Sequence, residues 1–165
     1  PSPDILAATL DRLRLGANVG VEDLARLIDA AEAESAGAAL GQITAKDIMS
    51  HDLVTCAPET TLPELAASFR AHRFKSLPIR DDAGHYAGCV IIDALVGLSD
   101  PHLTAHDLRD ASIHTAAPET PLAELIALLA DGHQQTVPIV AGHALVGLVT
   151  RSDLIALLIH HHSLR

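Results

Sequence analysis

The sequence predicts an α+β fold in which one β-α-β-β-α unit is built twice and a helical segment precedes the pair. Three observations predict it: an internal repeat, short apolar runs that alternate with stretches of helical periodicity, and a hydrophobic share of 48% with two Phe, one Tyr and no Trp among 165 residues. Such a composition is typical of a globular protein with an aliphatic core. Each copy is too small to bury its own sheet, so we expect the copies to pack sheet to sheet around a pseudo-twofold axis.

The repeat has a spacing of 60 residues. Residues 44–79 align with residues 104–139 without a gap, and 14 of the 36 pairs are identical, including the run Ala-Pro-Glu-Thr that begins at Ala57 and again at Ala117. This similarity indicates two copies of one supersecondary unit. The predicted division of the chain is a helical linker at 1–43, a first repeat at 44–100 and a second repeat at 101–165.

Each copy is predicted to contain the same elements in the same order. A short strand leads through Pro-Glu-Thr into an amphipathic helix, and two strands joined by a tight turn lead into a closing helix. The predicted strands are residues 53–56, 76–80 and 88–92 in the first copy and 113–116, 136–140 and 147–149 in the second.

The N-terminal segment is predicted to form two helices. Leu6, Leu10 and Leu13 form an apolar stripe in the first, and a second helix follows a break at residues 18–20. Neither helix carries a chemical constellation, so we expect both to pack on the repeats, on a second copy of the chain, or towards whatever precedes Pro1. Because Pro1 is not a methionine, we expect the chain to be a piece of a longer protein or a processed product.

The stretch from Val146 to Leu154 carries the strongest functional signal. Its pattern predicts a buried strand that passes directly into a helix at Thr150. The free N–H groups of a helix start favour an anion, and the Thr150 hydroxyl with the Asp153 carboxylate suits a phosphate beside a sugar diol. The same pair also fits a capping box, in which each residue satisfies the other's backbone. Both interpretations stay open at this stage.

Composition excludes several classes of function. A net charge of −10 argues against binding nucleic acid, although a local basic group or helix start could still hold a small anion. Cys56 and Cys89 lie in apolar surroundings, so we expect reduced thiols and a cytoplasmic location. No apolar run reaches the roughly 18 residues of a membrane span, and no signal-peptide pattern is present.

Neither a metal site nor a catalytic site is predicted. The chain has 11 histidines, but His160, His161 and His162 are adjacent on a helix and point in different directions, whereas a metal needs converging ligands. No nucleophile elbow, Cys-His arrangement, His-Glu-x-x-His or Walker loop occurs. The chain is therefore predicted not to be an enzyme and to require no cofactor.

Five motifs resemble those of a tandem pair of CBS domains, the Bateman module. They are Asp47-Ile48-Met49-Ser50, Val54-Thr55, Pro58-Glu59-Thr60, Leu77-Pro78-Ile79 and Gly147-Leu148-Val149-Thr150-Arg151-Ser152-Asp153-Leu154. The resemblance implies a regulatory module that binds adenine nucleotides or related adenosyl ligands, with or without magnesium, in a cleft between the repeats. It also implies control of an attached or partner protein.

The resemblance implies a role for each site residue. Asp153 would hold the ribose hydroxyls, Thr150 would lie near the phosphate, and Arg151 is a candidate phosphate partner. The residues implied to flank the base are Ile113, His114, Val137 and Pro138.

The first copy departs from the pattern of the second. Ile91 and Ala94 stand where the second copy has Thr150 and Asp153, so we expect one competent site per chain.

The resemblance also carries expectations about partners. The N-terminal runs Val21-Glu22-Asp23-Leu24 and Ala30-Ala31-Glu32 are similar to the segment that joins a membrane domain to CBS repeats in bacterial HPP-family proteins. This likeness implies a cytosolic module tethered to the inner membrane, which controls a membrane transporter. Apolar helical faces at residues 94–98 and 154–159 predict a homodimer, and a ligand-free homodimerisation scaffold is the alternative function.

Overall fold

The computed structural model describes residues 41–163 except residues 131 and 133, without the side chains of residues 158 and 160–163. The helices predicted within the N-terminal segment, and the HPP-like runs they contain, lie outside the described residues. The described part confirms the α+β prediction of two repeated units. Its elements are α1 (Ala45–Ile48), α2 (Leu62–His72), β1 (Ser76–Arg80), β2 (Tyr86–Ile91), a 3-10 turn (Ile92–Leu95), α3 (Ala105–Leu108), α4 (Leu122–Ala130), β3 (Thr136–Ala141), β4 (Ala144–Thr150) and α5 (Arg151–Ser163).

Reciprocal capping boxes begin α1, α2 and α3. In each, an N-cap threonine and an acidic residue three positions later satisfy each other's backbone groups. The pairs are Thr44 with Asp47, Thr61 with Glu64, and Thr104 with Asp107. The hydrogen bonds from the threonine N–H and hydroxyl lower the pKa of all three acidic side chains, because they stabilise the ionised form.

Two antiparallel hairpins form the sheets, β1 with β2 and β3 with β4. Each hairpin has a register shift at the same place, after Ile79 and after Ile139. The hydroxyls of Ser76 and Thr136, which are equivalent residues, meet at 3.0 Å. This contact marks the pseudo-twofold axis that relates the repeats.

Each repeat lends its leading segment to the other repeat's sheet. Ser50 N–H donates to the carbonyl of Leu148 at 2.8 Å, and Leu148 N–H donates back at 3.2 Å. The equivalent segment of the second repeat does the same, because Asp110 N–H donates to the carbonyl of Cys89 at 2.8 Å. Farther along, Cys56 forms a parallel bridge to β1 of its own repeat. The segment from 50 to 56 therefore crosses from the second sheet to the first.

This exchange also divides the core. One buried cluster holds α4, β3 and β4 together with Ala45 of α1, and the other holds α2, β1 and β2 together with Ala105 of α3. Both alanines are 0% exposed. Each short helix therefore packs into the core of the opposite repeat.

Some predicted elements differ from the structure, and two short helices were not predicted. The first copy closes with one 3-10 turn instead of a helix, because Gly97 with φ 78° follows it and Pro101 comes soon after. The predicted strands at 53–56 and 113–116 each contribute a single bridge, at Cys56 and at Ala116. The short helices α1 and α3 were not predicted, since four residues are too few to show helical periodicity.

Candidate ligand-binding site

The junction of β4 and α5 is closed by a capping box. Thr150 N–H donates to Asp153 Oδ2 at 2.8 Å, and Asp153 N–H donates to the Thr150 hydroxyl at 3.2 Å. The capping-box interpretation of this pair is therefore confirmed, and the Asp153 carboxylate faces its own helix start. Its other oxygen, Oδ1, accepts a hydrogen bond from the Ser50 hydroxyl at 3.3 Å. One oxygen thus serves the helix, and the other meets the segment that the first repeat contributes.

A hollow of about 290 Å³ opens beside this helix start. Four stretches of chain line it: Ser50, Asp52, Leu53 and Val54; Arg73, Phe74, Lys75 and Ser76; Gln135 and Thr136; and Leu148, Thr150, Arg151 and Ser152. Both repeats therefore form its walls. Small-molecule sites usually occupy about 300–1,000 Å³, so this hollow is close to the lower limit of that range.

The charge around the hollow is opposite to that of the chain. Arg73, Lys75 and Arg151 line it, with Asp52 as the single carboxylate among the lining residues, whereas the chain as a whole carries −10. The start of α5, a helix of 13 residues, also presents its positive dipole end here. The hollow is therefore suited to an anionic group.

An exposed aromatic side chain also lines the hollow. Phe74 is 45% exposed, and its ring stacks on His72 with centroids 5.7 Å apart and planes 8° apart. An exposed ring beside a cavity offers a flat face for a second planar group. Cations and an aromatic face thus share one hollow.

The structure brings some of the predicted site residues together here. Thr150 and Arg151 line the hollow, and Asp153 reaches its edge through Ser50, which lines it. Val137 and Pro138 are buried in β3 and do not line it.

Ile113 and His114 are not among the residues that line this hollow. Leu53 and Val54, 60 positions earlier, line the hollow instead. The reason is the exchange of leading segments, because the bond from Asp110 to Cys89 carries the stretch after Asp110 to the end of β2. The motif places these residues at a base, but only the pairing of the two repeats decides which cleft they join.

Sequence reasoning also missed Phe74 and Lys75 as lining residues. Their positions precede β1 of the first repeat, while the helix start lies in the second, so no local pattern links them. The cleft of the first repeat has Ile91 and Ala94 at the matching positions, and Asp93 beside them is exposed. The expectation of one competent site per chain stays a prediction.

The two cysteines are free and buried. Burial raises the pKa of the Cys56 thiol to about 11 and that of Cys89 to about 12, because the thiolate is disfavoured in apolar surroundings. Both thiols are therefore protonated at neutral pH and act as small apolar side chains.

The described residues contain neither a metal-binding cluster nor a helix that could span a membrane. Within residues 41–163, apart from the two gaps, no three His, Cys, Asp or Glu side chains converge in a way that could hold a metal ion. The side chains of His160 to His162 lie outside the described set. In the same part of the chain, none of the helices has the length and hydropathy needed to cross a bilayer.

Matched repeats with exchanged leading segments and a shared hollow define a tandem α+β module, and the chain belongs to the CBS domain family. The family profile matches residues 45–98 and 105–160. CBS domain pairs are regulatory modules and generally not catalytic, although some are side domains of enzymes.

Two matches cover most of the related protein's own length. Hypoxic response protein 1 of Mycobacterium tuberculosis is 29% identical over 117 residues, which cover 67% of this chain and 82% of that protein. A crystal structure of Hypoxic Response Protein I with two coordinated zinc ions matches with a TM-score of 0.62 at 27% identity, over 69% of this chain and 98% of that one.

Two further matches come from larger or more distant proteins. The A-adding tRNA nucleotidyltransferase of Geobacter sulfurreducens is 29% identical over 116 residues, covering 68% of this chain but only 13% of the relative. A crystal structure of CBSX2 in complex with AMP matches with a TM-score of 0.65 at 21% identity, over 71% of this chain and 96% of that one.

Proposed function

We propose that this chain is a regulatory module that binds one adenine nucleotide, or a related adenosyl ligand, in the hollow beside Thr150. The observation that carries the proposal is the joint presence of a helix start, three cationic side chains and an exposed aromatic ring around one cavity. The AMP held by CBSX2, a protein with the same fold, supports this class of ligand. The proposed role contains no chemical step, and no resident cofactor is needed for it.

The proposed pose follows from the chemistry of the walls. A phosphate would lie at the start of α5, within reach of Arg151 and of Lys75 on the opposite wall. The ribose diol would donate to Asp153 Oδ1 in place of the Ser50 hydroxyl, while Oδ2 keeps its bond to the helix. The base would lie between Val54 and the exposed ring of Phe74.

A thermal-shift panel tests the proposal. AMP, ADP, ATP and S-adenosylmethionine are compared with and without magnesium, and a ligand at 100 times its Kd should stabilise the fold by about 2.7 kcal/mol. Asp153→Ala should abolish most of that shift. Loss of the cap costs about 0.5–2 kcal/mol by itself, so each variant is compared with its own ligand-free state.

Asp93→Ala is the matched control. Asp93 is exposed, precedes Ala94, which is equivalent to Asp153, and does not line the hollow beside Thr150, so its removal should leave the shift unchanged. If no ligand shifts the wild type, the ligand-free homodimerisation scaffold becomes the better account.

The partner protein stays a prediction from the sequence resemblance. We infer a homodimer that controls an attached or partner membrane transporter from the cytoplasmic side. Sedimentation velocity with and without AMP tests the dimer, and fractionation of cells that express the full-length gene product tests the membrane tether. A monomer at all concentrations, or a parent protein found only in the soluble fraction, would contradict these two inferences.

A further inference from the structure

A buried glutamine occupies a position that is open in the other repeat. Gln134 is 2% exposed, and its side-chain amide is fully engaged with backbone. The amide oxygen accepts from His114 N–H at 3.0 Å, and the amide nitrogen donates to the carbonyls of His114 at 2.9 Å and Thr136 at 2.8 Å. Burying an amide is favourable only with such complete pairing, so this side chain is firmly held.

The equivalent position in the first repeat is Phe74, 60 residues earlier. Phe74 is exposed and lines the hollow beside Thr150, and it has no group that could bond to backbone. The equivalent of His114 is Val54, which lines the same hollow. The second repeat therefore has a buried amide at this position, whereas the first repeat has an exposed aromatic ring that lines the hollow.

Because Val54 and Phe74 are equivalent to His114 and Gln134, the repeat places the backbone groups of Val54 towards the position of Phe74. Cys56 N–H donates to the carbonyl of Pro78, and Ala116 N–H donates in the same way to that of Pro138. Residues two apart on an extended chain direct their N–H and C=O groups to the same side. Val54 thus points these groups past the start of β1, and no bond joins them to another residue of the described chain.

An amide and an adenine present the same pair of groups. The amide edge of glutamine carries an acceptor beside a donor, and adenine carries an acceptor ring nitrogen beside its N6 amino donor. Either can bond to the N–H and C=O of one extended residue. Gln134 therefore makes with His114 the two bonds that a base could make with Val54.

We propose that Gln134 acts as a built-in stand-in for the base and closes the ligand cleft of the first repeat, whereas Phe74 leaves the cleft beside Thr150 open through Val54. The stretch 113–114 belongs to the closed cleft, because the bond from Asp110 to Cys89 carries it beside Ile91. The proposal rests on the proposed nucleotide site and extends it. It assigns the choice of cleft to the residue two positions before each hairpin, Phe74 or Gln134, as well as to the missing Thr and Asp.

Transplanting the glutamine tests the proposal without risk to the core. Phe74→Gln places an amide opposite Val54, and Phe74→Leu is the control that removes the ring but adds no polar group. By calorimetry with AMP, Phe74→Gln should bind at least about tenfold more weakly than Phe74→Leu, because the base must displace two hydrogen bonds. Equal affinities of the two variants would overturn the proposal.

The reverse change supplies the missing groups to the closed cleft. A variant with both Ile91→Thr and Ala94→Asp is expected still to bind one AMP per chain, since Gln134 remains in place. Two AMP per chain in this variant would overturn the proposal.

Amide hydrogen exchange separates this proposal from the proposed function. In the ligand-free protein, the His114 N–H should exchange far more slowly than the Val54 N–H, and Phe74→Gln should slow exchange at Val54 alone. If AMP fails to bind the wild type, the proposed function falls while this exchange pattern still decides the role of Gln134. Equal exchange rates at His114 and Val54 in the ligand-free wild type would overturn it.

Discussion

Replacing Gly147 by alanine tests how tightly the exchanged segment packs on β4. A Cβ at this position would lie 2.5 Å from Met49 Sδ, 2.7 Å from its Cγ and 3.0 Å from its Cβ. The sulfur can swing away, but the Cβ cannot, because Met49 N–H is bonded to the carbonyl of Ala45 at 2.8 Å. Relief therefore requires the segment around Met49 to move away from the strand.

The expected loss follows from overpacking. Such insertions cost about 1–3 kcal/mol. With an unfolding entropy of about 2.1 cal/mol/K per residue over roughly 120 residues, Tm should fall by about 4–12 °C. Ser50 follows Met49 directly, so the displacement should also weaken the bond from Ser50 to Asp153 and lower AMP affinity.

A double-mutant cycle identifies the cause. Urea unfolding is measured for the wild type, Gly147→Ala, Met49→Ala and the double variant. Met49→Ala removes the sulfur and Cγ, the two nearest atoms, and leaves only the 3.0 Å contact with Cβ, so most of the clash is relieved. The double variant should therefore be more stable than the sum of the single losses predicts, by at least about 1 kcal/mol. Additive losses within about 0.5 kcal/mol, or an unchanged Tm for Gly147→Ala, would refute the packing argument.

Three further predictions concern the fold. Cys56 and Cys89, with raised pKa values of about 11 and 12, should not react with Ellman's reagent at pH 7 until denaturant is added, and a fast native reaction would contradict their burial. The capping carboxyls have pKa values below those of the unfolded chain, so their stabilisation is present above about pH 4 and is lost as pH falls through the lowered values. Asp107→Asn should therefore reduce the loss of unfolding free energy, measured with urea, between pH 7 and pH 3. The same pH dependence in the variant and the wild type would contradict the stabilising role of this cap. Leu65→Ala and Leu125→Ala, at equivalent sites that are 0% exposed, should each cost about 2–5 kcal/mol, and a loss under about 1 kcal/mol would show that the site is not packed.

The elements that were predicted correctly are those with a local signal. The strand at 76–80 has its predicted bounds because a continuous apolar run ends at a charged turn. The helix faces of α2 and α4 were also predicted, since Leu65 and Leu125 recur at helical spacing with their neighbours. Local periodicity fixes what a segment becomes.

Local periodicity does not fix which sheet a segment joins. Ser50 pairs with Leu148, a partner far along the chain, and an unexchanged pair of repeats would have the same local sequence. The same degeneracy explains why the sequence alone does not show that Leu53 and Val54 line the hollow beside Thr150. Gln134 had no signal for the same reason, because a glutamine in a polar loop is expected to be solvated until the partner strand is known.

Thr150 and Asp153 show why one motif supports two interpretations. The cap uses Asp153 Oδ2 and the Thr150 hydroxyl as an acceptor, which leaves Oδ1 directed at Ser50. A carboxylate has four lone-pair sites, so capping and ligand binding do not compete for the same oxygen. The structural role therefore does not weaken the proposed one, and it fixes the rotamer from which Oδ1 meets the ligand.

The exchanged segment also determines how ligand binding would affect the rest of the chain. A ligand that replaces the Ser50 hydroxyl at Asp153 acts on the residue that joins α1 to the segment 50–56, which crosses between the two sheets. Helix α1 is anchored by Ala45 in the core of the second repeat, and the chain before it continues to the N-terminal segment. Since a ligand shifts a conformational equilibrium only through contacts that differ between two states, the Ser50 segment is the element whose position the proposed nucleotide would bias. The conformational change would then be transmitted through residues 41–50 towards the N-terminus. Amide hydrogen exchange in these residues should therefore change when AMP is added, and unchanged exchange would contradict this route.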